Sequence, residues 1–383
     1  MEQIYLDHAA TTPIHPLVLD TIYSVEKEVF GNPSSVHYFG RKARQLLDEA
    51  RYDLAKSINA QEKEIIFTSG GTEADNLAIL GTARANRHKG NHIITTLQEH
   101  HAVLHTVEQL EKEGFDVTYL PIAENGKVSV EAVSKALTDR TILVSIMYVN
   151  NETGVIQPIR EISKNLKSHQ AYFHTDGVQA FGLTDIDVAA LGVDMLTVSS
   201  HKMNGPKGVG FLYAKENVKL SSLQFGGEQE RRRRAGTENL SGIVGFQKAV
   251  ELVKKERNER IEKYQGYKQQ FLQILQEQNV EFRVNGDLDD SVASIVNISF
   301  PKTNVEALLT NFDLEGVAAS SGSACTAGSV EPSHVLTAMY GKEHECTTNS
   351  IRFSFGLSNT SENIETAALR IAKIVNRLTS NKG

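Results

Sequence analysis

A chain of 383 residues, 40% hydrophobic and 23% charged, holds enough apolar material for a sizeable core, which excludes disorder, a collagen-like repeat and a disulfide-stapled miniprotein. Its net charge of −7 argues against a protein whose main task is coating nucleic acid. No apolar run approaches the ~18 residues needed to span a bilayer, and at roughly 100–200 residues per domain the length suggests two or three domains. Met1-Glu2-Gln3-Ile4 lacks the basic-then-apolar pattern of a secretory signal. The only cysteines, Cys325 and Cys346, make neither a Cys-x-x-Cys pair nor a disulfide framework. A reduced, cytoplasmic protein without a membrane partner is expected.

In chain order, strand-like and helical segments alternate through the first 250 residues. Glu64-Ile65-Ile66-Phe67-Thr68 reads as a short buried strand, and Ser69-Gly70-Gly71-Thr72 opens an amphipathic helix. A strand at 91–96, a helix at 102–112 and strands at 115–120 and 142–149 follow. A helix at 159–168 and strands at 171–175 and 193–199 complete the series. Strands separated by 10–15-residue helices imply crossover units, so the fold class is α/β with a mainly parallel sheet covered on both faces. From 239 to 278 the pattern becomes one long helix whose middle, 254–263, is almost wholly charged. A helix that loses its apolar face midway often bridges two bodies. The expected division is a large α/β domain, 15–256, and a smaller α+β domain formed by 1–14 and 257–383.

Ligands bind at the carboxyl edge of such sheets, and four segments fall there. In Thr68-Ser69-Gly70-Gly71-Thr72 the glycines let the backbone approach an anion, and the free N–H groups of the helix start face outward. The bland alternative is a capping box between Thr72 and Asp75. Tyr172-Phe173-His174-Thr175-Asp176 ends a strand on an acid. Ser199-Ser200-His201-Lys202-Met203-Asn204-Gly205-Pro206 ends the next on a lysine. Enclosed by His, Asn, Gly and Pro, that lysine is expected to point into a cleft, where a desolvated amine has a lowered pKa and forms Schiff bases. The fourth segment, Gln98-Glu99-His100-His101, raises a metal site. Adjacent histidines point in different directions, however, and no ligand set completes them. No metal is expected, and an imidazole stacked on a cofactor ring is preferred. A lysine, a strand-end acid and an anion cradle together suggest pyridoxal 5′-phosphate.

Nine motifs then occur in order: Asp7-His-Ala-Ala-Thr-Thr-Pro13, Gly31-Asn-Pro-Ser-Ser35, the Thr68-to-Asp75 loop, Glu99-His100, Val149-Asn-Asn-Glu-Thr-Gly154, His174-Thr-Asp176, Ser200-His-Lys-Met-Asn-Gly-Pro-Lys-Gly208, Arg234-Ala-Gly-Thr-Glu-Asn239 and Ser320-Ser-Gly-Ser-Ala-Cys-Thr326. Over essentially its whole length the chain resembles the cysteine desulfurases of the NifS/IscS type. These belong to the class V aminotransferase group of fold type I pyridoxal phosphate enzymes. The small-residue stretch around Cys325 places the resemblance in the class I branch.

The resemblance implies a role for each matching residue. Lys202 would hold the cofactor and shuttle the α-proton, Asp176 would pair with the ring nitrogen, and His100 would stack on the ring. Gln179 would reach the phenolic oxygen. Gly71, Thr72, Ser199 and His201 would hold the phosphate, with Thr237 reaching it from a partner subunit, so a homodimer is expected. Asn151 and Arg352 would bind the carboxylate of L-cysteine. Cys325 would be the nucleophile: its neighbours in 320–329 are all Ser, Gly, Ala or Thr, a composition that predicts a mobile segment from which a thiolate can reach both site and partner. Cys346, among acidic neighbours, is expected to be incidental. The implied reaction converts L-cysteine to L-alanine with a persulfide on Cys325. That sulfur passes to an acceptor protein, either a tRNA thiouridylase or an iron–sulfur scaffold. The chain's end at Gly383, soon after the last predicted helix, leaves room for the tRNA-thiolation acceptor. The run Arg231-Arg232-Arg233-Arg234 lies within a family motif, and no direct nucleic-acid partner is expected. An aminotransferase or β-eliminating lyase of the same fold would not need Cys325.

Overall fold

A computed structural model describes residues 2–322 and 331–380, so Cys325 lies outside the described residues. The principal sheet has seven strands in the order Ile65–Thr68, Gly210–Ala214, Met195–Ser199, Tyr172–Asp176, Thr141–Ser145, His92–Thr96 and Asp116–Leu120. The last five pair in parallel. Gly210–Ala214 runs antiparallel to both its neighbours. Its connection from Ser199, residues 200–209, is shorter than the dozen or more residues that a parallel crossover needs. The chain therefore returns as a hairpin, and that hairpin carries Lys202.

Most of these strands are buried at every position, which is why their sequences read as continuous apolar runs rather than alternating ones. One face packs Leu47, Phe173, Phe211 and Phe246 into a core with the first half of the long helix. The other face packs Leu77, Val103, Leu143 and Leu212. The strand expected over 142–149 pairs regularly only to Ser145. Beyond it the Met147 N–H turns to the Glu99 carboxylate, at 3.1 and 3.0 Å from its two oxygens, and the chain becomes cavity wall.

The long helix is unbroken from Leu240 to Glu277, 38 residues, or roughly 57 Å at 1.5 Å per residue. Asn239 caps it, accepting from the Gly242 N–H at 3.1 Å. Its first part buries Ile243, Phe246 and Val250 in the sheet core. Its last part buries Tyr264, Tyr267, Phe271 and Leu275 in a separate cluster with Phe300, Phe312, Phe353 and the helix Ser361–Ser380. Ile4 and Leu6 join that second cluster, and Ile4–Tyr5 pairs in parallel with Val317–Ala318. From there residues 7–13 run as a strap across to the Lys202 hairpin. The Thr12 hydroxyl donates to the His201 carbonyl at 2.8 Å, and the Asn204 N–H donates to the Thr12 hydroxyl at 2.8 Å.

Candidate active site

The carboxyl edge of the sheet, the strap and the strand Ser350–Ser354 enclose a cavity of about 430 Å³. Among the residues expected at the site, Gly71, Thr72, His100, Asn151, Asp176, Gln179, Ser199, His201, Lys202 and Arg352 all line it. Thr237 does not: it is exposed and absent from this chain's cavity wall. The wall also includes Ala9, Ala10, Asp75 and 320–322.

Lys202 lies on the 3₁₀ turn that follows Met195–Ser199. Its Nζ donates to the carbonyls of Ala9 at 2.5 Å and Ala10 at 2.9 Å. Burial pushes this amine down to about 8, and the nearby Arg352 guanidinium pushes the same way; Asp176 and Asp7 oppose them. The Gln179 amide also donates to the Ala9 carbonyl, at 2.8 Å. Asp176 is buried at its strand end, accepting from the Val178 N–H at 2.9 Å. Burial raises its carboxyl to about 6, against that hydrogen bond and Lys202. Beside it Asp75 is held well above the usual carboxyl range, first by burial and then by the charges of Asp176 and Glu99. Asp75 Oδ1 is buried without a hydrogen-bond partner among the described residues. His174, behind these acids, is held neutral by burial, down to about 3; its ring nitrogens meet the hydroxyls of Ser145 at 2.9 Å and Thr197 at 3.0 Å.

The capping-box alternative for Thr72 and Asp75 is not what the fold contains. The helix Gly71–Asn86 has Gly70 at its cap with no side-chain cap bond. Glu73 instead accepts from the Ser69 N–H at 2.7 Å and pairs with Arg234 at 2.7 Å. Asp75 is thereby free to face the cavity. Gly70 adopts φ +151°, a conformation that a side chain would strain, and it leaves the helix start bare toward the cavity as an anion cradle.

His100 caps the helix His101–Lys112, its Nδ1 accepting from the Ala102 N–H at 3.1 Å. Surrounding protein and then Lys202 lower it to about 4, so the ring is neutral. His101 and His105 stack with ring centroids 5.0 Å apart, and His334 packs on His101 at 4.7 Å. The i, i+4 spacing of His101 and His105 is the sequence signal for this row. Among the described residues no group of three or more His, Cys, Asp and Glu is arranged to hold a metal. Arg352 enters from the smaller sheet: its Nη1 donates to the Asn151 carbonyl at 3.0 Å and its Nη2 pairs with Asp7 at 2.8 Å, while its Nε is buried without a partner among the described residues.

The arginine run is partly consumed by the fold. Arg233 donates to the Lys63 carbonyl at 2.8 Å and Arg234 pairs with Glu73, while Arg231 and Arg232 stay exposed, Arg232 in a surface pair with Glu228. Cys346 is buried.

A desolvated amine, a buried acid opposite it, a bare helix start and a guanidinium in one cavity form a donor set that fits a pyridinium aldehyde phosphate. The fold and this site are those of an aminotransferase-like enzyme. The family model for class-V aminotransferases matches residues 4–366, and the chain belongs to that family. A Bacillus subtilis (strain 168) protein designated IscS 1 is 60% identical over 379 residues, covering 99% of this chain and 100% of that one. Cysteine desulfurase IscS of Clostridium botulinum (strain Hall) is 48% identical, covering 98% and 94%. A solved structure described as SspA in complex with cysteine is 36% identical with a TM-score of 0.81, covering 92% of this chain and 98% of that one.

Proposed function

We propose that the chain is a cysteine desulfurase that uses pyridoxal 5′-phosphate to convert L-cysteine to L-alanine. The observation that carries this is the Lys202 amine, desolvated inside a cavity that also presents Asp176, the Gly71-Thr72 helix start and Arg352. When bound, the cofactor withdraws electrons from the substrate carbon that bears the amino group. Asp176 would face the ring nitrogen, and the neutral His100 ring would lie against the cofactor ring. Gln179 would reach the phenolic oxygen. Gly71, Thr72, Ser199 and His201 supply N–H and side-chain donors to the phosphate, joined by Thr237 of the partner subunit. Arg352, with Asn151 beside it, takes the substrate carboxylate. Lys202 Nζ removes the α-proton and later returns one.

Sulfur leaves as the Cys325 thiolate attacks the substrate sulfur: an S–S bond forms, the C–S bond breaks, and the carbon is reprotonated to alanine. The products are alanine and a persulfide on Cys325, with no external oxidant or reductant. The persulfide then passes to an acceptor protein serving tRNA thiolation or iron–sulfur assembly. A homodimer in the cytoplasm completes the proposal. An exposed aromatic cluster supports the dimer: Phe30 and Tyr38 are 73% and 64% exposed, and both pack on Phe39. The two-cysteine composition supports the location. The separate clusters at the two ends of the long helix support two bodies, proposed as 15–256 and as 1–14 with 257–383, although Ile295, Val335 and Leu336 of the smaller body pack into the first cluster.

With L-cysteine and excess thiol, the protein should release equimolar alanine and sulfide. Cys325→Ala should keep its bound cofactor and lose both products, and Lys202→Ala should lose the visible absorption of the bound cofactor. Full turnover by Cys325→Ala would refute the nucleophile.

A further inference from the structure

Glu152 follows the cavity-wall residue Asn151 and is completely buried, yet the site as described gives it no task. Its backbone is fixed on both sides: the N–H donates to Asn150 Oδ1 at 2.9 Å, and the carbonyl accepts from Asn297 Nδ2 at 3.3 Å. The carboxylate reaches two places far apart in sequence. Oε2 accepts from the Ser333 hydroxyl at 2.5 Å. Against the same group lies Gly322, so close that a Cβ there would stand 1.6 Å from Oε2 and 2.1 Å from Cδ. Oε1 has no hydrogen-bond partner among the described residues and faces His334 Nδ1 at 3.9 Å. The His334 Nε2 donates to the Glu99 carbonyl at 2.9 Å. Ser333 Oγ also accepts from the Leu336 N–H and thereby caps the helix His334–Tyr340.

Gly322 and Ser333 flank 323–330, the stretch that contains Cys325 in the sequence. One buried carboxylate therefore touches the chain before this stretch and the chain after it. A buried carboxylate with one partnerless oxygen is a poor choice for packing alone. It suits a fixed post whose two faces must both be polar and of unvarying length. Gly322 is required because only a residue without a side chain can lie on that post.

We propose that Glu152 is a positioning residue for sulfur transfer, its carboxylate fixing both attachment points of the segment that carries Cys325. This rests on the desulfurase reading. Nucleophilic attack is steeply sensitive to placement, a displacement of about 1 Å costing on the order of a hundredfold. Among the described residues Glu152 makes no hydrogen bond to the cofactor cradle or to the carboxylate-binding Arg352, which acts on it only through charge and after burial, His334 and Ser333, so sulfur transfer should suffer more than substrate binding.

The test is steady-state alanine formation from L-cysteine by cofactor-loaded Glu152→Ala, Glu152→Gln, Gly322→Ala and the double variant Glu152→Ala/Gly322→Ala. Cofactor content, melting temperature and the absorbance change on binding L-cysteine are measured alongside. Glu152→Ala should lower kcat by about tenfold or more, with KM and the binding absorbance change held within about twofold. Glu152→Gln, whose amide oxygen still accepts from Ser333, should recover most of the rate. Gly322→Ala should be impaired like Glu152→Ala, and the double variant should be no worse than Glu152→Ala because the colliding group is gone. An unchanged kcat in Glu152→Ala would overturn the proposal, as would a loss shared equally by kcat, cofactor content and melting temperature and not recovered by Gln. If wild type forms no alanine, the desulfurase reading falls first and this inference with it.

Discussion

The surroundings of Lys202 change its chemistry. An amine that ordinarily titrates near 10.5 is brought to about 8, chiefly by burial. The unfolded chain keeps that proton up to about 10.5 while the folded one releases it near 8. Between these values the unfolded state binds more protons, and the cofactor-free protein gains stability from this group as pH rises. Acylation of Lys202 in cofactor-free protein, followed by peptide mass, should therefore have a pH midpoint near 8; a midpoint near 10 would contradict the desolvated site. Lys202 and Asp176 were legible because each ends an apolar strand. Asp75 and Glu152 were not: their character comes from burial by residues distant in sequence. The Thr72–Asp75 cap failed for the same reason, since Arg234, 161 residues away, draws Glu73 into that place.

At the scale of elements, Ser350–Ser354 positions the substrate end of the site. Arg352 faces the cavity from it, while Phe353 faces the second core, with ring centroids 4.9 Å from Phe271, 6.1 Å from Phe312 and 6.4 Å from Phe300. Alternation along the strand places one residue in each environment. Phe353→Ala should cost ~3–5 kcal/mol in denaturant unfolding, as expected for a buried aromatic truncated in a close-packed cluster; a loss below ~1 kcal/mol would show that the cluster does not hold this strand. From Glu64 to Ser199 strand and helix identities followed from apolar runs and 3.6-residue periodicity, whereas the helices Pro16–Glu28 and Tyr38–Ser57 and the strand Gly210–Ala214 were not read from the sequence. At 146–149, apolar enough to read as strand, the Ile146 and Tyr148 N–H groups still reach the His174 and Asp176 carbonyls, and on the other edge the Met147 N–H goes to the buried Glu99 carboxylate instead of a strand.

For the whole molecule, the cavity exists because three distant stretches converge: the sheet edge, the strap 7–13 and the strand bearing Arg352. The sequence carried each stretch as a motif, but not their meeting point. Thr237 stands exposed and apart from its own chain's cavity, which agrees with a site completed across a dimer. Phe30→Asp, placing a charge in the exposed aromatic cluster, should shift sedimentation toward monomer and weaken cofactor retention. An unchanged dimer would move the interface elsewhere, and a monomeric wild type would remove it. Sulfur that leaves L-cysteine should be held on Cys325 until an acceptor takes it. Intact mass after exposure to L-cysteine without reductant tests it most directly. Wild type should gain one or more sulfur atoms, and Cys325→Ala should gain none. No gain in a cofactor-loaded wild type would contradict the account and leave a different pyridoxal phosphate enzyme of the same fold.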